Sequence, residues 1–180
     1  MPLEVNDPMG EELKVLAIVP AFNEEENIVS TVEDLLSNAP GVDHVVINDG
    51  SSDRTEAICL EHGFNVITLP VNLGLAGGFQ TGMKYAFAHG YDYAVQFDAD
   101  GQHSAAYVWP MVNQAEADGS DIVIGSRFCA QKKPISARMI GSAHYGYDSP
   151  HHWSESAGSY FRNALVRPRY DSPIRVELRL

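Results

Sequence analysis

A mostly parallel β-sheet sandwiched between two layers of helices is the fold class this sequence predicts, and three observations predict it. Short apolar runs of β type alternate with helical periodicity from residue 13 to 130. Each apolar run ends in a polar, glycine- or proline-marked segment. The intervening helices have the length of parallel crossovers, which are right-handed and layer as helix, sheet, helix.

The elements follow in order. Val15 to Val19 is an apolar run stopped by Pro20. Asn27 to Leu36 carries Ile28, Val32, Leu35 and Leu36 at helical spacing behind three glutamates that suit a helix N-terminus. Val45 to Ile47 is the second strand. "SSDRTEAICLEHG" reads as a helix with Asp53 and Glu56 in a capping-box pattern and Gly63 as its stop. Asn65 to Leu69 is the third strand, and Ala76 to His89 a helix that ends at Gly90. Tyr93 to Phe97, Ala105 to Asp118 and Ile122 to Ile124 give a fourth strand, a fourth helix and a fifth strand.

Bulk properties narrow the class. The chain has 180 residues, 44% of them hydrophobic and 20% charged, which suits one soluble domain. Its net charge of -12 gives no footprint for nucleic acid. The N-terminus has neither a basic nor an apolar signal-peptide region, and no apolar run approaches a membrane span. A soluble or at most peripheral cytoplasmic protein is expected. Cys59 and Cys129 lack any metal or redox spacing and are expected as free thiols. The charge is uneven: residues 1–130 carry 4 Lys+Arg against 20 Asp+Glu, and residues 131–180 carry 8 against 4.

In an open parallel sheet, ligands bind beyond the carboxyl ends of the strands. The segments that follow the five strands are "PAFNEEE", "NDGSSD", "PVNLGLAGG", "DADGQH" and "GSRF". The fourth is the most pointed. Asp98 and Asp100 flank Ala99 at a buried-looking strand end, where two unpaired carboxylates would repel. Both can reach one hard divalent cation, and Gln102 supplies a further oxygen. An EF-hand is excluded, because its twelfth position would be Trp109. Paired-acid glycoside hydrolysis needs carboxylates spaced across a sugar, which neighbouring turn residues do not provide. A cation clamp on a diphosphate fits better.

The remaining candidates carry alternatives. Asp49 either accepts hydrogen bonds from a base or ribose or forms an Asx turn with Gly50. Gly74, Gly77 and Gly78 serve close backbone approach to a ligand or plain helix packing, and match neither GxGxxG nor a P-loop. Arg127, one of four basic residues in the first 130, either meets a phosphate or a surface carboxylate. His103 is either a metal ligand or a loop histidine.

"AIVPAFNEEENI", "VVINDGSSDRT", "NLGLAGGFQTGMKYA", "QFDADGQH" and "IVIGSRF" together resemble the family 2 glycosyltransferases of GT-A fold, a nucleotide-diphospho-sugar transferase architecture. The likeness spans about residues 13 to 128 and is greatest to the dolichyl- and polyprenyl-phosphate sugar transferase branch. It implies inverting transfer from a UDP- or GDP-sugar with Mg2+ or Mn2+, to a lipid phosphate or a cell-envelope glycan, at the inner face of a membrane. It also implies that Pro20, Phe22, Glu24, Ile47 and Asp49 line the nucleoside. Asp98, Ala99 and Asp100 would lie at the diphosphate and metal, with Gln102 as a further ligand and Arg127 on the diphosphate.

The sequence therefore divides into a nucleotide-sugar-binding domain over 13–130 and a divergent basic segment over 131–180. From about His144 the family pattern is lost, in "HYGYDSPHHWSESAGSYFRNALVRPRYDSPIRVELRL". That stretch reads either as a non-native or disordered tail replacing the acceptor half, or as a folded basic segment that binds anionic acceptors or membrane lipid. No catalytic base is assigned. Beside the transferase stands a second hypothesis, a nucleotide-sugar-binding module without a complete acceptor half. A sugar nucleotidyltransferase would want a Gly-rich loop with Arg and Lys where this chain has "PAFNEEE".

Overall fold

The structure is a computed structural model and describes residues 13–100, 103–125 and 164–168. Its strands are β1 (Val15–Ala21), β2 (Val42–Asn48), β3 (Val66–Thr68), β4 (Tyr93–Gln96), β5 (Ile122–Ile124) and β6 (Ala164–Val166). Its helices are α1 (Ile28–Asn38), α2 (Thr55–Glu61), α3 (Gly74–Ala88) and α4 (Val108–Asp118). A single 3-10 turn, Ala105–Tyr107, leads into α4.

The strand order is β3-β2-β1-β4-β6-β5. β1, β2, β3 and β4 run parallel, and β6 is antiparallel to both β4 and β5. The chain leaves β1 toward β2 on one side and later returns to β1 with β4 on the other. The carboxyl ends of β1 and β4 thus flank the point where the strand order reverses, which is where such sheets form a crevice.

Strand alternation sorts the core into two layers. Val15, Ala17, Val19 and Ala21 of β1 face α1, α2 and α4 through Ile28, Val32, Cys59, Val108 and Val112. Leu16 and Ile18 face α3 through Ala86, Phe79 and Met83. Both faces of β1 are buried because helices cover both, which is why it reads as a continuous apolar run.

Pro20 does not stop β1, which continues to Ala21. Ile18 accepts the Phe97 amide on the β4 side, so Pro20, two residues on, also faces that side. The β1–β4 register has already ended at the Ile18/Gln96 pair, so the missing N–H leaves no ladder bond unmade. The capping box expected at α2 does not form either. Asp53 does accept the Thr55 amide and hydroxyl at 2.9 and 2.6 Å, but Glu56 turns away to take the Thr68 hydroxyl at 2.7 Å.

β6 is the larger surprise. It comes from the stretch that the sequence left without a structural place, and it fills the gap between β4 and β5. Leu165 is buried there. Beyond it, Arg167 pairs with Glu116 of α4, donates from Nε to the Tyr93 hydroxyl at 2.6 Å and lies over the Tyr93 ring. Residues 164–166 are therefore a strand of the sheet, and the rest of the stretch from about His144 lies outside the described residues apart from 167–168.

Candidate functional site

The loops after β1 and β2 are stitched together by side-chain to backbone bonds. Asn23 sits in the left-handed region at φ 56°, a conformation Asn tolerates better than most residues. From there its Oδ1 accepts the Ser52 amide at 2.9 Å, while its own amide donates to Ser51 Oγ at 3.0 Å. One residue on, the Glu24 amide donates to Thr55 Oγ1 at 2.9 Å and its carboxylate accepts from Asn27 Nδ2 at 3.0 Å. The Glu25 amide donates to Asp53 Oδ2 at 3.1 Å. Burial alone would raise the Asp53 pKa, but the bonds from Thr55 and Glu25 outweigh it and hold the carboxyl below its usual value.

Asp49 follows β2 and is buried. Its Oδ1 accepts the Leu73 amide at 2.7 Å, tying the loop after β2 to the loop before α3. The side-chain bond that closes this corner comes from Asn48, whose Oδ1 accepts the Ser51 amide, three residues on, at 3.3 Å. Gly50 has φ +69°, and a Cβ there would lie 2.8 Å from the Asn72 amide nitrogen, so the close approach of the two loops requires glycine. Loops after β1, β2 and β3 are thus held as one rim along the carboxyl edge.

Among the residues expected to line a nucleoside, Phe22 is exposed, at 48%, and Pro20 and Glu24 are half-buried. Ile47 is fully buried in the α3-side core, 3.8 Å from where a Gly78 Cβ would stand, and offers no exposed side-chain surface. Gly78 packs over Pro20 and Ile47, and a Cβ at Gly82 would fall 2.2 Å from Ile18 Cγ2. These α3 glycines serve helix-on-sheet packing. Gly78 and Gly82 stand four residues apart on one helix face, the available signal for Gly82, while a Cβ at Gly74 would meet nothing within 4 Å.

The acid pair leaves the sheet directly after β4. Asp98 is half-buried and Asp100 exposed, while Ala99 between them is buried. Asp98 Oδ1 accepts from Gln96 Nε2 at 2.8 Å. His103 is close: its Nδ1 accepts the Asp98 amide at 3.0 Å and its Nε2 stands 3.4 Å from Asp98 Oδ2. The ring packs edge-on against Phe97 with centroids 5.5 Å apart. A cavity of about 280 Å³ lies beside this turn, lined by Ser30, Thr31, Asp34, Phe97, His103 and Ser104. The two carboxylates are hard oxygen donors of the kind Mg2+ and Mn2+ take, so the donor chemistry fits such an ion. Among the described residues no cluster of three or more metal-ligating side chains occurs. Gln102, expected as the further ligand, lies outside the described residues, as do Arg127 and Cys129. Cys59 is a free, buried thiol whose pKa is pushed up to about 11 by burial and by the Glu56 carboxylate.

The rim that carries Asp49 and the turn that carries Asp98 and Asp100 thus stand on opposite sides of the β1 end, along one edge of the sheet. Among the described residues no helix is long and apolar enough to cross a membrane.

Comparison with known proteins adds to this geometry. A family model described as Glycosyl transferase family 2 matches residues 16–169. The chain is 30% identical over 140 residues to the undecaprenyl-phosphate mannosyltransferase of Micrococcus luteus, covering 73% of this chain and 57% of that protein. It is 31% identical over 121 residues to the polyprenol monophosphomannose synthase of Mycolicibacterium smegmatis, covering 64% and 45%. The chain spans about half the length of the curated relatives it matches. Two solved structures share the fold. One is S. aureus TarS 1–349 in complex with UDP-GlcNAc, at TM-score 0.53 and 20% identity over 69% of this chain and 38% of that one. The other is the Mycobacterium tuberculosis glucosyl-3-phosphoglycerate synthase with Mn2+, UDP-glucose and phosphoglyceric acid, at TM-score 0.50 and 24% identity over 61% and 42%.

Proposed function

The chain belongs to glycosyl transferase family 2, and from that premise we propose that it moves a sugar from a nucleoside diphosphate to a polyprenyl phosphate, with inversion at the anomeric carbon. The observation that carries this reading is the placement of the Asp49 rim and the Asp98–Asp100 turn on either side of the β1 end. A nucleoside on the rim and a diphosphate at the turn would then span the switch point of the sheet.

In this reading Pro20, Phe22, Glu24 and Asp49 receive the nucleoside, with Ile47 supporting the rim from beneath. Asp98 and Asp100, with Gln102, hold Mg2+ or Mn2+, and Arg127 meets the diphosphate. The cation would neutralise diphosphate charge when bound. The sugar–oxygen bond to the diphosphate breaks, and its electron pair leaves with the nucleoside diphosphate. The acceptor oxygen forms the new bond at the opposite face of the anomeric carbon. A lipid phosphate is already an anion, so it needs no catalytic base; a sugar hydroxyl would need one. The names of the relatives from Micrococcus and Mycolicibacterium favour the lipid phosphate; action at the cytoplasmic face of a membrane is part of the proposal.

A second reading is a module that binds nucleotide-sugar and metal without transfer; it is favoured by the described site residues, Asp49, Asp98 and Asp100, all standing on the donor side of the proposed reaction. Incubation with UDP- and GDP-sugars, Mn2+ and short-chain polyprenyl phosphate separates the two. Formation of a glycosyl-phosphoprenol supports transfer. Metal-dependent nucleotide binding with no product for any acceptor supports the module.

A further inference from the structure

We infer that Thr31 and His103 are positioning residues for the acid turn: together they fix the Asp98–Ala99–Asp100 backbone and the Asp98 carboxylate, and divalent-cation affinity at that corner depends on them. The inference rests on the metal reading proposed above.

Thr31 is a buried residue of α1, remote in sequence from the turn. A helical Ser or Thr ordinarily bonds a carbonyl of its own preceding turn. Its neighbour Ser30 does so, donating to the Asn27 carbonyl at 2.9 Å. Thr31 instead reaches across 68 residues and donates Oγ1 to the Ala99 carbonyl at 3.1 Å. That carbonyl belongs to the peptide between the two acids. With Ala99 2% exposed, this bond supplies its carbonyl a partner within the protein.

His103 holds the other side. An Nδ1 that accepts the Asp98 amide must carry the ring proton on Nε2, and Nε2 is the atom 3.4 Å from Asp98 Oδ2. One ring therefore binds the backbone and faces the carboxylate of the same residue. Its side chain is only 5% exposed and is wedged edge-on against Phe97, so the ring has little freedom to swing away. Gln96 Nε2 fixes the remaining Asp98 oxygen. Farther along, Asp34 of α1 accepts the Ala105 amide at 3.0 Å and anchors the loop where it re-enters the helical layer. Helix α1 and the imidazole thus brace the turn through its backbone. Partners of this kind orient a ligand without touching the metal, and their loss typically costs about 10- to 100-fold in affinity.

The test is Mn2+ titration of the whole chain, following the free-ion signal by electron paramagnetic resonance. Thr31→Val keeps shape and removes the donor, Thr31→Ser keeps the donor, and His103→Phe keeps a ring without nitrogens. The inference expects Thr31→Val and His103→Phe each to weaken Mn2+ binding by about 10-fold or more, with Thr31→Ser near the wild type. Metal-free UDP affinity should be unchanged in all three, which a general loss of structure would not allow. Thr31→Val binding Mn2+ as the wild type does, or Thr31→Ser falling as far as Thr31→Val, overturns the inference. Nitrogen-15 spectra of the metal-free chain should show the His103 proton on Nε2; a proton on Nδ1 overturns its part. Asp98→Asn separates this inference from the metal reading. If Asp98→Asn binds Mn2+ like the wild type, the metal site fails and this inference falls with it. If Asp98→Asn loses Mn2+ while Thr31→Val keeps it, only this inference is overturned.

Discussion

Asn23 shows how much of the rim that carries Asp49 depends on one backbone conformation. Its left-handed φ of 56° aims the side chain at the Ser52 amide, joining the loops after β1 and β2. Asn23→Gly keeps the conformation accessible but removes the acceptor, and Asn23→Ala removes the acceptor and adds the cost of a Cβ in that region. Asn23→Gly is expected to lose about 1 kcal/mol of stability, with about 1 kcal/mol more lost in Asn23→Ala. Calorimetric melting of the two variants measures the ordering, and both should bind UDP more weakly than the wild type. Cys59 gives a pH prediction. A thiol pushed up to about 11 stays protonated at pH 8, so in a Cys129→Ser background it should resist iodoacetamide in the native chain and react readily in urea. Equal rates in the two conditions would mean the thiol is not buried as described. The free thiol at Cys59 was expected from the sequence, but the parts played by Asn23 and Thr31 were not legible beforehand. Asn23 was one letter in a polar loop, and nothing local to Thr31 says that its hydroxyl leaves its own helix.

At the scale of elements, the helix α3 lies on β1 and β2 at a distance that only glycine permits. Gly82→Ala places a methyl 2.2 Å from Ile18 Cγ2 and should destabilise by about 1–3 kcal/mol through overpacking, read as a lower melting temperature with an unchanged far-UV spectrum. β6 makes the opposite kind of prediction. Leu165 is 1% exposed on the strand between β4 and β5, so Leu165→Ala should lose about 2–5 kcal/mol. A shift within experimental error would show that β6 is not integral to the sheet. The strands β1, β2 and β4 were legible in the sequence because buried parallel strands write themselves as apolar runs, and the half-buried β3 and β5 were legible as short β-branched runs bounded by turn residues. β6 was not, because three residues, "ALV", surrounded by charge and proline carry no periodicity. Its place is set by two neighbours far away in sequence and by Arg167 meeting Glu116 and Tyr93.

For the whole molecule, the sheet edge was legible and its exact furniture was not. Alternation of strand and helix predicted that the five strand-following segments would share an edge, and the structure brings the described ones there. It could not tell that Ile47 points into the core, or that Asp49 spends one oxygen on the Leu73 amide, since both follow from side-chain direction and loop packing. The central claim is that a divalent ion at Asp98 and Asp100 grips the diphosphate of an activated sugar. Isothermal titration of UDP and GDP into the wild type and into Asp98→Asn, with and without Mn2+, tests it most directly. The account predicts that Mn2+ tightens binding of one of the two nucleotides to the wild type by about tenfold or more, and that Asp98→Asn keeps the metal-free affinity but loses the gain. Nucleotide binding that is indifferent to Mn2+, or an equal Mn2+ gain in Asp98→Asn, would contradict it.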